Sequence, residues 1–207
     1  MRVLFAGFFA SILFCSPCFT LTPDEALTRL MQGNERYMQD KLIHPDRSYD
    51  RRESLQTSQQ PFAIILGCSD SRVAPEILFD QGIGDLFVVR VAGNVVDPII
   101  LDSMEYAAKY LGSCLIIVLG HENCGAVKAV MAGQTEDIEA IAGQIRPALK
   151  DCKKDSGILQ TCIKANVKHV VEAVGQYGTI KKLLLQNKVK VVGGYYSLAT
   201  GKIEIIP

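Results

Sequence analysis

The 207-residue chain contains no tryptophan, and aromatic residues make up only 7% of it. It also lacks an excess of charge of either sign: Lys+Arg and Asp+Glu number 22 each. A chain balanced in this way carries no electrostatic footprint for nucleic acid and no polybasic face for a membrane surface. There is no internal repeat and no low-complexity block, the 17 Gly and 8 Pro being spread along the length. Hydrophobic residues at 48% and charged residues at 21% exclude wholesale disorder. The length suits one compact α/β domain with a sizeable core. Beyond residue 20 no Cys-x-x-Cys pair occurs, which removes a thioredoxin-like redox site.

Apolar runs long enough to cross a bilayer are missing too. The N-terminal stretch "MRVLFAGFFASILFCSPCFT" has one positive charge at Arg2, an apolar run from Val3 to Phe14, and then small and turn-forming residues. That layout predicts a secretory signal peptide. The run is shorter than the ~20 residues a spanning helix needs. Residues 1–20 are therefore expected to be cleaved, leaving 21–207 as a single domain, periplasmic or secreted, with no stable membrane span. Ser16 and Cys18 suit the small-residue positions of a cleavage site, with Pro17 between them.

Of seven cysteines, Cys15 and Cys18 fall in this leader. Cys114 sits inside the apolar run "SCLIIVLG" and reads as a buried, inert thiol. Cys152 and Cys162 stand ten apart in the polar segment "DCKKDSGILQTC"; in an exported protein they could join as a disulfide or stay free. Cys68 and Cys124 keep different company.

Residues 22–39 read as an amphipathic helix, with Thr22 as cap, Pro23 in the first turn, and Asp24 and Glu25 at its positive end. Loop and short helix are expected as far as Pro61. The runs "FAIILG", "DLFVVRVAG" (85–93), "CLIIVLG" (114–120) and "VKVVGGYYSL" (189–198) lack polar alternation and predict strands buried on both faces. Helical periods separate them. One spans 101–111, with Leu101, Met104, Ala108 and Leu111 on one face and Gly112 as its stop; another begins at Cys124, and more cover about 160–186. The expected fold is α/β, a mostly parallel central sheet flanked by helices, with an N-terminal helix arm. Ligands in such sheets gather beyond the carboxyl ends of the strands.

Two segments end strands in that way. "ILGCSDSR" (65–72) places Cys68, Asp70 and Arg72 within five positions, and "GHENCGAV" (120–127) places His121 three residues before Cys124 at the mouth of a helix. Two thiolates and an imidazole form a natural zinc set, and three protein ligands leave a fourth tetrahedral position open, as in catalytic sites. A helix N-terminus also favours the thiolate of Cys124. Each piece alone has a plainer reading, because buried cysteines are common at strand ends and a lone His-x-x-Cys is weak. A phosphatase-type Cys-to-Arg loop does not fit. Only three residues separate Cys68 from Arg72, and none of them is glycine.

Taken together, "CSDSRVAPE" (68–76), "LFVVRVAGN" (86–94), "SMEYAAKYLG" (103–112), "VLGHENCGAV" (118–127) and the closing "GGYYSLATGKIEI" closely resemble the β-class carbonic anhydrases across nearly the whole mature chain. The resemblance implies that Cys68, His121 and Cys124 hold one Zn²⁺ per chain, with Asp70 and Arg72 as the adjacent catalytic dyad. It implies that Gln59 donates a hydrogen bond to substrate across a dimer interface, and that Phe87 and Tyr106 wall the carbon dioxide pocket. Core packing remains an equally open role for both aromatics. The implied reaction is the reversible hydration of carbon dioxide to bicarbonate and a proton, with a zinc-bound hydroxide as nucleophile aimed by Asp70 and Arg72 fixing that carboxylate. Two thiolates cancel the formal charge of Zn²⁺, so activity is expected to rise above neutral pH. A homodimer, often paired into a tetramer, is implied as well.

The family also includes a form in which the dyad Asp turns onto the metal, and its bicarbonate pocket uses a tryptophan three residues before the first zinc cysteine. Here that position is Ile65, while Arg90 occurs in both forms; the tryptophan-free sequence favours the open arrangement. Two alternatives keep the scaffold: hydrolysis of carbonyl sulfide or carbon disulfide, and a non-catalytic zinc-binding protein. His44 and His169 are proton-shuttle candidates only by default, ordinary surface positions being the plainer reading.

Overall fold

A computed structural model of the chain describes residues 21–150, 152 and 158–206, and the leader expected at 1–20 lies outside the described residues. Five strands form one sheet: β1 (Ala63–Gly67), β2 (Leu86–Arg90), β3 (Leu115–His121), β4 (Lys190–Tyr196) and β5 (Ile203–Ile206). Their spatial order is β2-β1-β3-β4-β5. The first four run parallel, and β5 pairs antiparallel with β4. Every residue of β1 and β3 is buried, which is why their sequences read as unbroken apolar runs.

The pleat divides those side chains between two layers. Ile64, Leu66, Ile116 and Val118 enter one, and Ala63, Ile65, Leu115, Ile117 and Leu119 enter the other. Each wholly buried isoleucine contributes about 2–3 kcal/mol over leaving it in water. The described residues form eight α-helices: α1 (Pro23–Met38), α2 (Tyr49–Ser54), α3 (Pro75–Leu78), α4 (Pro98–Tyr110), α5 (Gly125–Ala132), α6 (Glu139–Ile145), α7 (Ile158–Gly175) and α8 (Gly178–Leu185). The first layer packs under α4 through Met104 and Ala107 and under α7 through Val167 and Val170. The second packs under α1 through Ala26 and Leu30, so the N-terminal helix lies on its own chain's sheet.

The helix boundaries follow local chemistry. Thr22 and Glu25 form a reciprocal capping box at α1, with the Thr22 N–H donating to Glu25 Oε2 at 2.8 Å. Asp97 accepts from the Ile100 N–H at 2.8 Å, so α4 starts at Pro98, three residues before the expected position. It stops where Gly112 adopts φ +76°. The helices expected over about 160–186 are two, α7 and α8, which meet between Gly175 and Gly178. Helix α6 and strand β5 were not expected. Ile138 provides α6 with no side-chain cap, so no start signal exists.

Among the described residues no helix is long and apolar enough to cross a membrane. The cysteines at 68, 114, 124, 152 and 162 are all free thiols. The disulfide considered for Cys152 and Cys162 is thus not formed; burial and the neighbouring Cys152 thiol push Cys162 up to about 12. Burial likewise raises the Cys114 thiol.

Candidate metal centre and catalytic dyad

The chain passes from β1 outward to β2, then returns across β1 to β3. The strand order therefore reverses between β1 and β3, and the crevice beyond their carboxyl ends is where doubly wound sheets bind ligands. Cys68 follows the last residue of β1, and His121 is the last residue of β3. Cys124 precedes the first residue of α5 with extended backbone (φ −58°, ψ 117°) and no side-chain cap bond. The topology thus brings together three residues that the sequence separates. Their ligand atoms all lie within 4.8 Å of one another, and all three residues are buried.

The donor set fits a soft or borderline divalent cation on chemical grounds. His121 Nδ1 lies 2.9 Å from the Glu122 carbonyl oxygen. A carbonyl can only accept, so Nδ1 carries the proton and Nε2 presents its lone pair. That Nε2 is wholly buried and has no hydrogen-bond partner in the protein. A buried lone pair left unpaired costs free energy, and a cation between it and two sulfurs removes that cost.

The Cys68 thiol is held low by hydrogen bonding from Cys124, which outweighs burial; His121 and the Gly93 N–H add to the effect. The Gly93 N–H donates to Cys68 Sγ at 3.3 Å. Contact with Cys68 together with burial pushes Cys124 up, against the first-turn amides of α5. Two sulfurs and an imidazole lone pair brought this close make a donor set suited to a positive charge.

The loop after β1 carries the dyad. Arg72 grips Asp70 in a fork: Nε donates to Oδ1 at 2.9 Å and Nη2 to Oδ2 at 2.7 Å, while the Arg72 N–H reaches Oδ1 at 3.0 Å. These bonds, the guanidinium first, hold the Asp70 carboxyl well below the usual carboxylate range. Its Oδ2 lies 3.8 Å from His121 Nε2, so the carboxylate borders the ligand cluster while staying paired with arginine. Arg90, at the end of β2, braces the loop from behind through Nε to the Cys68 carbonyl at 2.9 Å and Nη2 to the Asp70 carbonyl at 2.6 Å.

Two further residues secure the frame. Glu122 accepts from Ser197 Oγ at 3.1 Å and the Ala199 N–H at 3.2 Å, tying the loop after His121 to the turn between β4 and β5. Gly93 has φ +74°, and a Cβ there would come within 2.9 Å of Ile145 Cδ1. Only glycine satisfies both limits while aiming its N–H at Cys68. The roles of Glu122 and Asn166 (below) went unrecognised in the sequence.

The remaining expected residues lie on β2, α4, α7 and the segments before β1. Phe87 on β2 is half-buried against the core, and Tyr106 on α4 is 48% exposed; their ring centroids are 6.4 Å apart. They form a pair of their own, extended by Tyr110, whose ring lies 5.7 Å from Tyr106. Gln59 is exposed on the segment before β1. His44 is exposed on its loop, and His169 is half-buried on α7.

The family model described as carbonic anhydrase matches residues 63–203, from the first residue of β1 to the first of β5. The chain is 39% identical over 193 residues to a carbonic anhydrase of Mycolicibacterium smegmatis, covering 88% of this chain and 93% of that protein. It is 37% identical over 190 residues to carbonic anhydrase 2 of Mycobacterium tuberculosis, covering 87% and 91%. Among solved structures, a Coccomyxa β-carbonic anhydrase in complex with acetazolamide superposes with TM-score 0.67 at 25% identity, covering 87% of each chain. Tetrameric β-carbonic anhydrases from Sordaria macrospora share the fold at TM-score 0.70 and 20% identity, over 87% of this chain and 96% of that one.

Proposed function

The chain belongs to the β-class carbonic anhydrases, and on that premise we propose that it hydrates carbon dioxide reversibly to bicarbonate and a proton, with one zinc ion held by Cys68, His121 and Cys124. The observation that carries the proposal is the buried Cys-His-Cys cluster with an ionised carboxylate 3.8 Å from its imidazole nitrogen. Bound zinc supplies Lewis acidity that makes water nucleophilic near neutral pH. The protein's own groups do the rest. Asp70, ionised across the working pH range, accepts a hydrogen bond from water at the site and so turns an oxygen lone pair towards carbon dioxide. Arg72 occupies both carboxylate oxygens and keeps Asp70 aimed. That fork supports the open arrangement over one in which Asp70 turns to the metal.

Phe87 and Tyr106 supply the apolar wall of the carbon dioxide pocket, and Gln59 completes it from a second subunit. Supporting the second subunit is an exposed apolar stripe on α4: Ile99 is 75% exposed, Tyr106 48% and Tyr110 66%. Their spacing puts them on one face, beside the edge strand β2, and a contiguous patch of that kind marks an association surface. A homodimer, alone or paired into a tetramer, covers it. Export to the periplasm or medium follows from the leader reading, with residues 1–20 absent from the mature protein. N-terminal sequencing of that protein tests it.

The direct test of the reaction is Asp70→Ala assayed by carbon dioxide hydration, with carbonyl sulfide as a second substrate. Turnover of carbon dioxide by the parent and its loss in the variant, with zinc retained, is the expected result. Unchanged turnover in the variant, or turnover of carbonyl sulfide alone by the parent, would overturn the proposal.

A further inference from the structure

Helix α7 lays a buried stripe against the sheet: Cys162, Ile163, Asn166, Val167, Val170 and Val174. Asn166 interrupts this otherwise apolar face and is 1% exposed. Half of its amide is unpartnered, since Oδ1 is buried with no hydrogen-bond partner in the protein. An apolar side chain of similar volume would bury no unpaired oxygen of its own but would take the donor from the Gly93 carbonyl, so the asparagine is explained by that one bond and not by apolar packing. The other half is occupied. Nδ2 donates to the Gly93 carbonyl at 2.9 Å.

Gly93 is the residue whose N–H donates to Cys68 Sγ at 3.3 Å. It sits at φ +74° in the turn Ala92–Asn94, where the peptide it shares with Asn94 also has a local bond, the Asn94 N–H donating to the Val91 carbonyl at 3.0 Å. Its two flanking peptides are fixed from outside, one by the bond to sulfur and the other by the bond from Asn166. We propose that Asn166 is a positioning residue for the Cys68 thiolate, acting through Gly93 on the metal centre from the neighbouring helix. The inference rests on the metal reading above. A hydrogen bond to a ligating sulfur stabilises its anionic form and orients its remaining lone pairs, and loss of such outer partners weakens metal affinity 10–100-fold in other sites.

The test compares the full chain with Asn166→Leu, and with Val170→Ala as a control one helical turn further along the same stripe. Zinc affinity is measured by competition with a chromophoric chelator under reducing conditions. Thermal midpoints of the metal-free proteins and the thiolate-to-metal absorption of cobalt-loaded samples are recorded beside it. The expected result for Asn166→Leu is zinc binding weakened at least tenfold and a cobalt charge-transfer band shifted to lower energy, with the metal-free midpoint lowered by no more than the few degrees that one unpaired buried carbonyl costs. Val170→Ala should lower the midpoint and leave affinity and band unchanged. Affinity of Asn166→Leu within twofold of the parent, with an unshifted band, would overturn the inference. Should that variant fail to fold, Asn166→Ala is read by the same criteria. A parent that binds no zinc would remove the metal reading as well, whereas equal affinities in parent and variant remove this inference alone.

Discussion

Replacing Arg72 by alanine should separate stability from turnover. The Arg72 side chain is 52% exposed, and Asp70 is 16% exposed. An ion pair with one partner so well hydrated is worth about 1 kcal/mol or less, which for a domain of this size moves the thermal midpoint by roughly 2–4 °C. Its effect on the site is larger. Of the three bonds to the carboxylate, the variant loses two and keeps only the backbone N–H to Oδ1. The freed oxygen is Oδ2, the one 3.8 Å from His121 Nε2, and it can then rotate towards the ligand cluster. Loss of one preorganised group in an active site typically costs about 10²–10³-fold in kcat, or roughly 3–4 kcal/mol of barrier. Asp70 stays ionised at pH 7–9 even without arginine, because an unpaired aspartate titrates near ~4. The defect should therefore be flat across that range. Stopped-flow hydration assays at several pH values, beside thermal unfolding of the same samples, measure both effects. Turnover within threefold of the parent would refute the reasoning, and so would a loss of activity matched by a midpoint fall of more than ten degrees.

Arg36→Ala should lower stability in a pH-dependent way. Burial alone would raise Asp80, but Arg36 Nε at 2.6 Å and the N–H groups of Ile43 and His44, each at 3.1 Å, outweigh it and leave the carboxyl lowered. A lowered carboxyl contributes stability above its unfolded pKa near ~4 and loses it as pH falls through the folded value. The variant should thus be less stable by about 1–3 kcal/mol at pH 7, with the gap closing below pH 4 in denaturant titrations; a gap that widens in acid contradicts this. Gly93→Ala should destabilise by roughly 1–3 kcal/mol, because φ +74° and the 2.9 Å approach to Ile145 Cδ1 both oppose a Cβ; an unchanged midpoint would count against it. Chelation in air should let Cys68 and Cys124 oxidise, since their ligand atoms lie within 4.8 Å and no metal would then protect them. Activity should return on adding zinc only after a thiol reductant, and full return with zinc alone would show that the thiols had survived.

β1 and β3 were legible because a strand buried on both faces leaves an apolar run, as in "AIILG" and "LIIVLGH". β2 and β4 were found as strands, but β2 is mostly half-buried with Arg90 exposed and β4 is half-buried over its first three residues, so neither is buried on both faces throughout as expected. β5 was not, because Glu204 is exposed between buried Ile203 and half-buried Ile205, too short an alternation to stand out. The point where α7 gives way to α8 was not legible, because no side chain caps the start of α8. At the site, Cys68, Asp70, Arg72, His121 and Cys124 were legible as reactive side chains at strand ends. The groups that hold them were less so. Gly93 acts through its N–H and Arg90 through bonds to two carbonyls, and backbone partners leave no mark in a pattern of side chains. Asn166 looks from its spacing like any polar residue on a helix. The role proposed for Gln59 needs a second subunit, which a single chain does not specify.

The central claim is best tested by stopped-flow carbon dioxide hydration on the mature protein, with zinc determined on the same reduced sample. The account predicts about one zinc per chain and rapid turnover that increases above neutral pH. A reduced, folded sample that takes up no zinc, or that holds zinc and fails to hydrate carbon dioxide between pH 7 and 9, would contradict it.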